Sequence, residues 1–202
     1  MSKTVTRLFD LYSDALRAMT ELEKAGIPAR NISIVAGGSE RRIDDGRTRT
    51  DTVGGDVSVG AVAGGAIGGV GGLLAGLGMV VIPGLGPVVA AGWLAATAVG
   101  AAVGLVAGGA VGGLVGALVG AGESEANANV YSEGVRRGGT LISVKAHNDQ
   151  VGLIENLLDR FNAVSAQARG AAYRERGWDR FDEAAPPYSD DEVRRERDLY
   201  RP

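Results

Sequence analysis

Residues 57–122 read VSVGAVAGGAIGGVGGLLAGLGMVVIPGLGPVVAAGWLAATAVGAAVGLVAGGAVGGLVGALVGAG, and the fold turns on how this stretch is understood. These 66 consecutive residues contain no Asp, Glu, Lys, Arg or His, and they hold 21 of the chain's 33 glycines. All 45 charged side chains, 21 basic and 24 acidic, therefore sit in the other 136 residues. An ordinary globular chain is about 7% glycine, so the excess is local and needs a local explanation.

The glycines are periodic. Gly60, Gly64, Gly68, Gly72 and Gly76 recur every fourth residue, as do Gly100, Gly104, Gly108, Gly112, Gly116 and Gly120. An i, i+4 row lies along one face of a helix, leaving a groove without side chains. Such GxxxG faces let helix backbones approach closely, which is how helices associate in lipid. These eleven glycines are the candidate helix-packing and oligomerisation residues, and they read as a glycine zipper. Between the glycines stand Val, Leu and Ala in place of the polar residues of a flexible linker. Glycine costs roughly 0.5–1 kcal/mol at each helix-interior position, so the arms need tightly packed partners.

Pro83, Gly84, Gly86 and Pro87 interrupt the block and predict the turn of a helical hairpin, since closely spaced prolines and glycines stop a helix on both sides. The arms, 57–82 and 88–122, would span about 39 and 52 Å as helices at about 1.5 Å per residue. Both exceed a hydrocarbon core of about 30 Å. Trp93, the only aromatic in the block, falls just after the turn as an interfacial anchor. Arg41, Arg42, Arg47 and Arg49 flank one end and Arg136 and Arg137 the other. The positive-inside rule then predicts an inner-membrane hairpin with both termini cytoplasmic and the lipid bilayer as partner. The alternative is a cytoplasmic assembly in which the two arms are a buried helical pair of a soluble oligomer.

Working outward, Thr4–Phe9 alternates as a strand, and Ser13 is placed to cap a helix to about Ala25 that buries Ala15, Met19, Leu22 and Ala25. Asn31–Ala36 reads as a second strand, completing a split β-α-β opening. Residues 39–56 are polar, charged in both signs and read as a linker. After the block, Glu123–Arg137 predicts a helix, Thr140–Ala146 (TLISVKA) a strand, and Asp149–Val164 an amphipathic helix with Val151, Ile154, Leu157, Leu158 and Phe161 on one face. Residues 166–202 carry both charges and little periodicity, which predicts a disordered tail with a short charged helix from Asp190 to Leu199.

Neither outer piece buries a core alone. Residues 1–38 and 123–165 are two halves of one α+β domain, a small three-stranded sheet with covering helices, split by the glycine-zipper hairpin of 57–122. Both ends of the insert must then emerge on one side, which two crossings satisfy.

The chain has no cysteine, which excludes disulfides, thiol nucleophiles and cysteine-ligated zinc. Its net charge of −3 gives no basic face for nucleic acid. The N-terminus, MSKTVTRLFDLYSD, has no long apolar run, so no cleavable signal peptide is expected. No G-x-x-x-x-G-K is present, and no G-x-G-x-x-G follows a strand, so the glycines make no phosphate loop. His147 with Asp149 reads as a surface pair at a strand end. Asp44-Asp45 and Asp190-Asp191-Glu192 read as solvated charge rather than metal ligands, and Asn31-Ile-Ser33 is a sequon in a predicted strand.

TVTRLFDLYSDALRAMTELEKAGIPARNISIVAG, with YSEGVRRGGTLISVKA later, resembles the bacterial general-stress (heat-induced stress protein, YflT-like) domain over about residues 3–38 and 123–165. Residues 131–144 (YSEGVRRGGTLISV) are the most distinctive part of that likeness. The resemblance implies a small α/β stress-response domain without catalytic residues. The expected function is a non-enzymatic, membrane-anchored stress protein that oligomerises through the zipper and organises or stabilises membrane, with no cofactor, metal or small-molecule substrate. Two alternatives are a soluble self-assembling particle or filament, and an oligomeric pore, although the block has no polar ring for ion selectivity.

Overall fold

The alternating stretches TVTRLF, NISIVA and TLISVKA form strands because their branched side chains pack well on a pleated surface. The computed structural model describes residues 2–37, 78–82, 85–104 and 113–200. Its elements are β1 (Ser2–Phe9), α1 (Tyr12–Lys24), a 3₁₀ turn (Ala29–Asn31), β2 (Ile32–Gly37), β3 (Gly78–Ile82) and β4 (Gly86–Ala91). Then come α2 (Trp93–Gly104), α3 (Gly113–Gly120), α4 (Glu125–Arg136), β5 (Thr140–His147), α5 (Val151–Asp159), α6 (Ala166–Glu175) and α7 (Asp190–Asp198). The class is α+β, as expected. Helix α1 starts one residue before the expected cap Ser13, with Leu11 at its N-cap.

The sheet has five strands among the described residues, not the expected three, in the order β1-β5-β2-β4-β3 with every pair antiparallel. β5 slots between β1 and β2, with Val5 opposite Val144 and Ile34 opposite Ile142. The two additional strands come from inside the uncharged block. Val80, Val81, Ile82, Val88 and Val89 are β-branched, and the Pro/Gly cluster that stops a helix serves equally to reverse a strand. Leu85 N–H donates to Ile82 O at 3.0 Å, and Gly86 at φ +71° returns the chain as β4.

The predicted zipper hairpin is corrected accordingly. The end of its first arm is β3, and its second arm begins as β4 before continuing in α2 and the eight-residue α3. Gly92, at φ +88°, makes the corner between β4 and α2. A Cβ there would lie 2.5 Å from Ile32 O, so only glycine admits this approach of β4 to β2. Among the described residues no helix is long and apolar enough to cross a membrane, which overturns the expected inner-membrane placement. The physical reason is visible in the burial of Leu94, Ala98, Leu114 and Leu118, whose apolar surface is spent on the protein's own core.

The sheet is covered on both faces. On one, α1 and α5 pack over Val5, Phe9, Ile34, Ile142 and Val144 through Met19, Leu22, Ile154 and Leu158. On the other, Leu8, Val35, Val88 and Leu141 meet α2, α3, α4 and α6. Residues 166–200, expected to be disordered, fold onto this second layer. Tyr173, Phe181 and Val193 are all buried there.

Candidate functional site

The second layer contains the features on which a function can be built. Helix α4 starts at Ser124, whose side chain accepts from Asn127 N–H, and ends beside the Gly138–Gly139 corner that leads into β5. Its last turn places Glu133, Arg136 and Arg137 on one side at i, i+3 and i+4. Glu133 is fully buried. Arg136 grips it with two nitrogens, at 2.9 and 2.7 Å, and Arg137 Nε adds a third contact at 2.6 Å. Burial opposes the Arg137 charge, but hydrogen bonding to Glu133 and the carboxylates of Glu133 and Glu196 outweigh it and push its pKa up.

This cluster holds the C-terminal residues. Arg137 Nη1 reaches Glu196 of α7 at 3.0 Å, and its guanidinium lies 4.2 Å from the centre of the Tyr173 ring. Tyr188 stacks within 5.4 Å of both Arg136 and Arg137. Arg169 pairs with Asp10 at 2.6 Å and covers Tyr200 at 3.7 Å. Thus Arg136 and Arg137, expected as cationic flanks of a membrane segment, are occupied within the protein. A sequence signal for this docking does exist. Half of the aromatic residues (Tyr173, Trp178, Phe181, Tyr188 and Tyr200) lie beyond Ser165, whereas disordered segments are poor in aromatics. Ser189 and Glu192 also form a full capping box at the start of α7.

A polar row crosses the sheet beneath α4. Thr6, Ser143 and Ser33 stand in register and are buried. Ser143 Oγ donates to Thr6 Oγ1 at 3.3 Å, Ser33 Oγ to Ala91 O at 2.8 Å, and the Tyr131 hydroxyl to Thr6 O at 2.7 Å. Beside it, a cleft of about 250 Å³ at the outer edge of β1 is lined by Thr4, Arg7, Asn127, Tyr131 and Glu155, among others. Its charged and phenolic groups are engaged with neighbours. Arg7 pairs with Glu155 at 3.3 Å and Asp159 at 3.1 Å, and burial pushes the Tyr131 phenol up to about 12.

The expected assembly residues are only partly in view. Gly60, Gly64, Gly68, Gly72, Gly76, Gly108, Gly112, Pro83 and Gly84 lie outside the described residues, as does the 39–56 linker. Gly100 and Gly104 belong to α2, and Gly116 and Gly120 to α3. Gly116 is half-buried, whereas Gly120 is exposed and has open space where a Cβ would stand. Gly86 and Pro87 begin β4 rather than closing a helical turn. Trp93, read as an interfacial anchor, makes its contacts within the protein. Its indole N–H donates to Asn31 O at 3.2 Å, and Lys145 Nζ lies 4.1 Å from its ring centre. His147 and Asp149 are exposed at the end of β5, and the described residues contain no group of three or more potential metal ligands.

Comparison of the chain with protein-family models, with curated proteins and with solved structures finds no match. The general-stress resemblance gains no support from these comparisons.

Proposed function

We propose that the protein is a non-catalytic structural protein of a stress response, which assembles with copies of itself through its uncharged glycine-rich segment. The observation that carries this reading is the pair of every-fourth-residue glycine rows in a 66-residue stretch without charge. Close backbone packing is what such rows serve, whatever the medium. The described parts of the same segment favour protein over lipid as its partner, because β4, α2 and α3 bury Val88, Leu94, Leu114 and Leu118 against the body. The stress-response setting rests on the sequence likeness of residues 3–38 and 123–165 alone.

The test is sedimentation of the full chain without detergent, beside a variant carrying Gly108→Leu and Gly112→Leu. The expected result is a large species for the unmodified chain and loss of that species in the variant, with the far-UV circular dichroism of the body retained. A monomeric unmodified chain, or a variant of unchanged size, overturns the reading.

A further inference from the structure

The sheet ends on β1, and only part of that strand's outer side is taken. Leu8 turns its N–H and C=O outward to Val164, at 3.0 and 2.7 Å. In an antiparallel pair such as β1 with β5, successive residues bond alternately inward and outward. Thr4 and Thr6 therefore turn their backbone groups outward as well. Thr6 O accepts from the Tyr131 hydroxyl at 2.7 Å and from Arg7 Nη1 at 3.1 Å. Among the described residues no backbone group meets Thr4 N–H, Thr4 O or Thr6 N–H.

The cleft of about 250 Å³ lies against this stretch, lined by Thr4, Val5 and Thr6 of the strand, by Tyr131 of α4 and by Glu155 of α5. A cavity of about 150 Å³ is enough to hold benzene, so there is room here for one long side chain. The charges around it do not balance. Arg7 is shared between Glu155 at 3.3 Å and Asp159 at 3.1 Å. Glu123 also lines the cleft and is half-buried. Its carboxylate accepts from Asn127 Nδ2 at 3.1 Å and has no ion pair among the described residues. A carboxylate partly withdrawn from water gains more from a nearby cation than one in bulk solvent.

We propose that this cleft binds an extended segment of another protein, one that carries a lysine or an arginine. The segment adds a strand to the sheet at β1. Its residue opposite Thr4 exchanges both backbone hydrogen bonds, and a further carbonyl accepts from Thr6 N–H. Main-chain pairing of this kind supplies affinity whatever the ligand's sequence, and a pocket for one side chain supplies selectivity. Glu123 selects the cation. Tyr131 and Arg7 hold Thr6 O and so end the available edge before Leu8, where Val164 already pairs. The site goes beyond the self-assembly reading, since none of its lining residues belongs to 57–122.

The test uses the full chain and a fluorescein-labelled pentapeptide of alternating threonine and lysine with blocked ends, followed by fluorescence anisotropy. The expected result is saturable binding that is lost when the lysines of the peptide are replaced by glutamates. Glu123→Gln should weaken it by about three- to fivefold, the worth of a partly exposed ion pair. Residue-resolved hydrogen exchange separates strand pairing from charge attraction alone. With free peptide at about ten times Kd, the Thr4 and Thr6 amides should exchange about tenfold more slowly. Val5, whose N–H already faces β5, should change less. Absence of binding, equal affinity for the glutamate peptide, unchanged affinity in Glu123→Gln, or unchanged Thr4 and Thr6 exchange overturns the proposal. So does protection of Thr4 and Thr6 that grows with protein concentration without peptide, which assigns the edge to a second copy.

Discussion

The two layers that cover the sheet are built on different chemistry. Under α1 and α5 the contacts are between large aliphatic or aromatic groups: Phe9, Met19, Leu22, Ile142, Ile154 and Leu158 are all essentially without solvent exposure. Under α2, α3, α4 and the C-terminal segment a comparable apolar core, with Leu8, Leu94, Leu118 and Tyr173, also takes in small residues, a row of hydroxyls and a buried carboxylate between two arginines. The first layer is held by area removed from water, which any well-shaped apolar partner supplies. The second adds to such burial a dependence on particular partners, because a glycine contact or a buried ion pair has value only against the group that fits it.

Truncating the first layer tests its side of this contrast most severely. Phe9→Ala is expected to destabilise by about 3–5 kcal/mol, read from the urea midpoint, since it leaves a cavity between β1 and α1. A loss below about 1 kcal/mol would mean that this layer repacks freely, and the contrast would collapse.

In the second layer the corresponding change is Glu133→Ala, which leaves Arg136 and Arg137 without their shared buried partner. The expected loss is about 3 kcal/mol, accompanied by faster hydrogen exchange in residues 190–198, because Arg137 also carries Glu196. Loss of stability without a change in that exchange would separate the ion cluster from the C-terminal segment.

A smaller effect sharpens the comparison through pH. The Tyr131 phenol is raised from 10.0 to about 12, chiefly by burial, so the folded state favours the protonated form. Its contribution is complete below pH 10 and is lost as pH rises through about 12, on the order of 2–3 kcal/mol in all. Tyr131→Phe should cost about 1 kcal/mol at neutral pH, through the lost bond to Thr6 O, and should flatten part of the alkaline decline. Some decline persists in the variant, since burial raises the Tyr173 pKa as well. An unaltered alkaline profile would place the relevant tyrosine elsewhere.

These layers also differ in how openly the chain announces them. Strands β1, β2 and β5 and helices α1, α4 and α5 follow from alternation, helical spacing and glycine stops, because each pattern is local and each apolar stripe needs only some core to face. The Glu133, Arg136 and Arg137 spacing is equally plain, but nothing local says that Tyr188 and Glu196 will meet it from farther along the chain, Glu196 at a separation of 59 residues from Arg137. The C-terminal segment is masked by its charge and signalled by its aromatics and by the Ser189–Glu192 capping pattern.

The uncharged block shows the limit most clearly. Its freedom from charge, its glycine period and the Pro83–Pro87 break are properties of the sequence alone. So are the α+β class and the division of the chain around the block. What only the tertiary structure decides is the use of that break. Val88–Ala91 becomes a strand because β2 offers a free edge, with Ile34 opposite Ala91, and because Gly92 lets the backbones close to contact; Val80–Ile82 then pairs with β4 across the turn. A β-branched run bounded by glycine and proline is compatible with a helix in lipid or a hairpin in a sheet, and the choice belongs to the hydrogen-bonding partner. For β4 that partner is β2, far away along the chain, so no local pattern can name it.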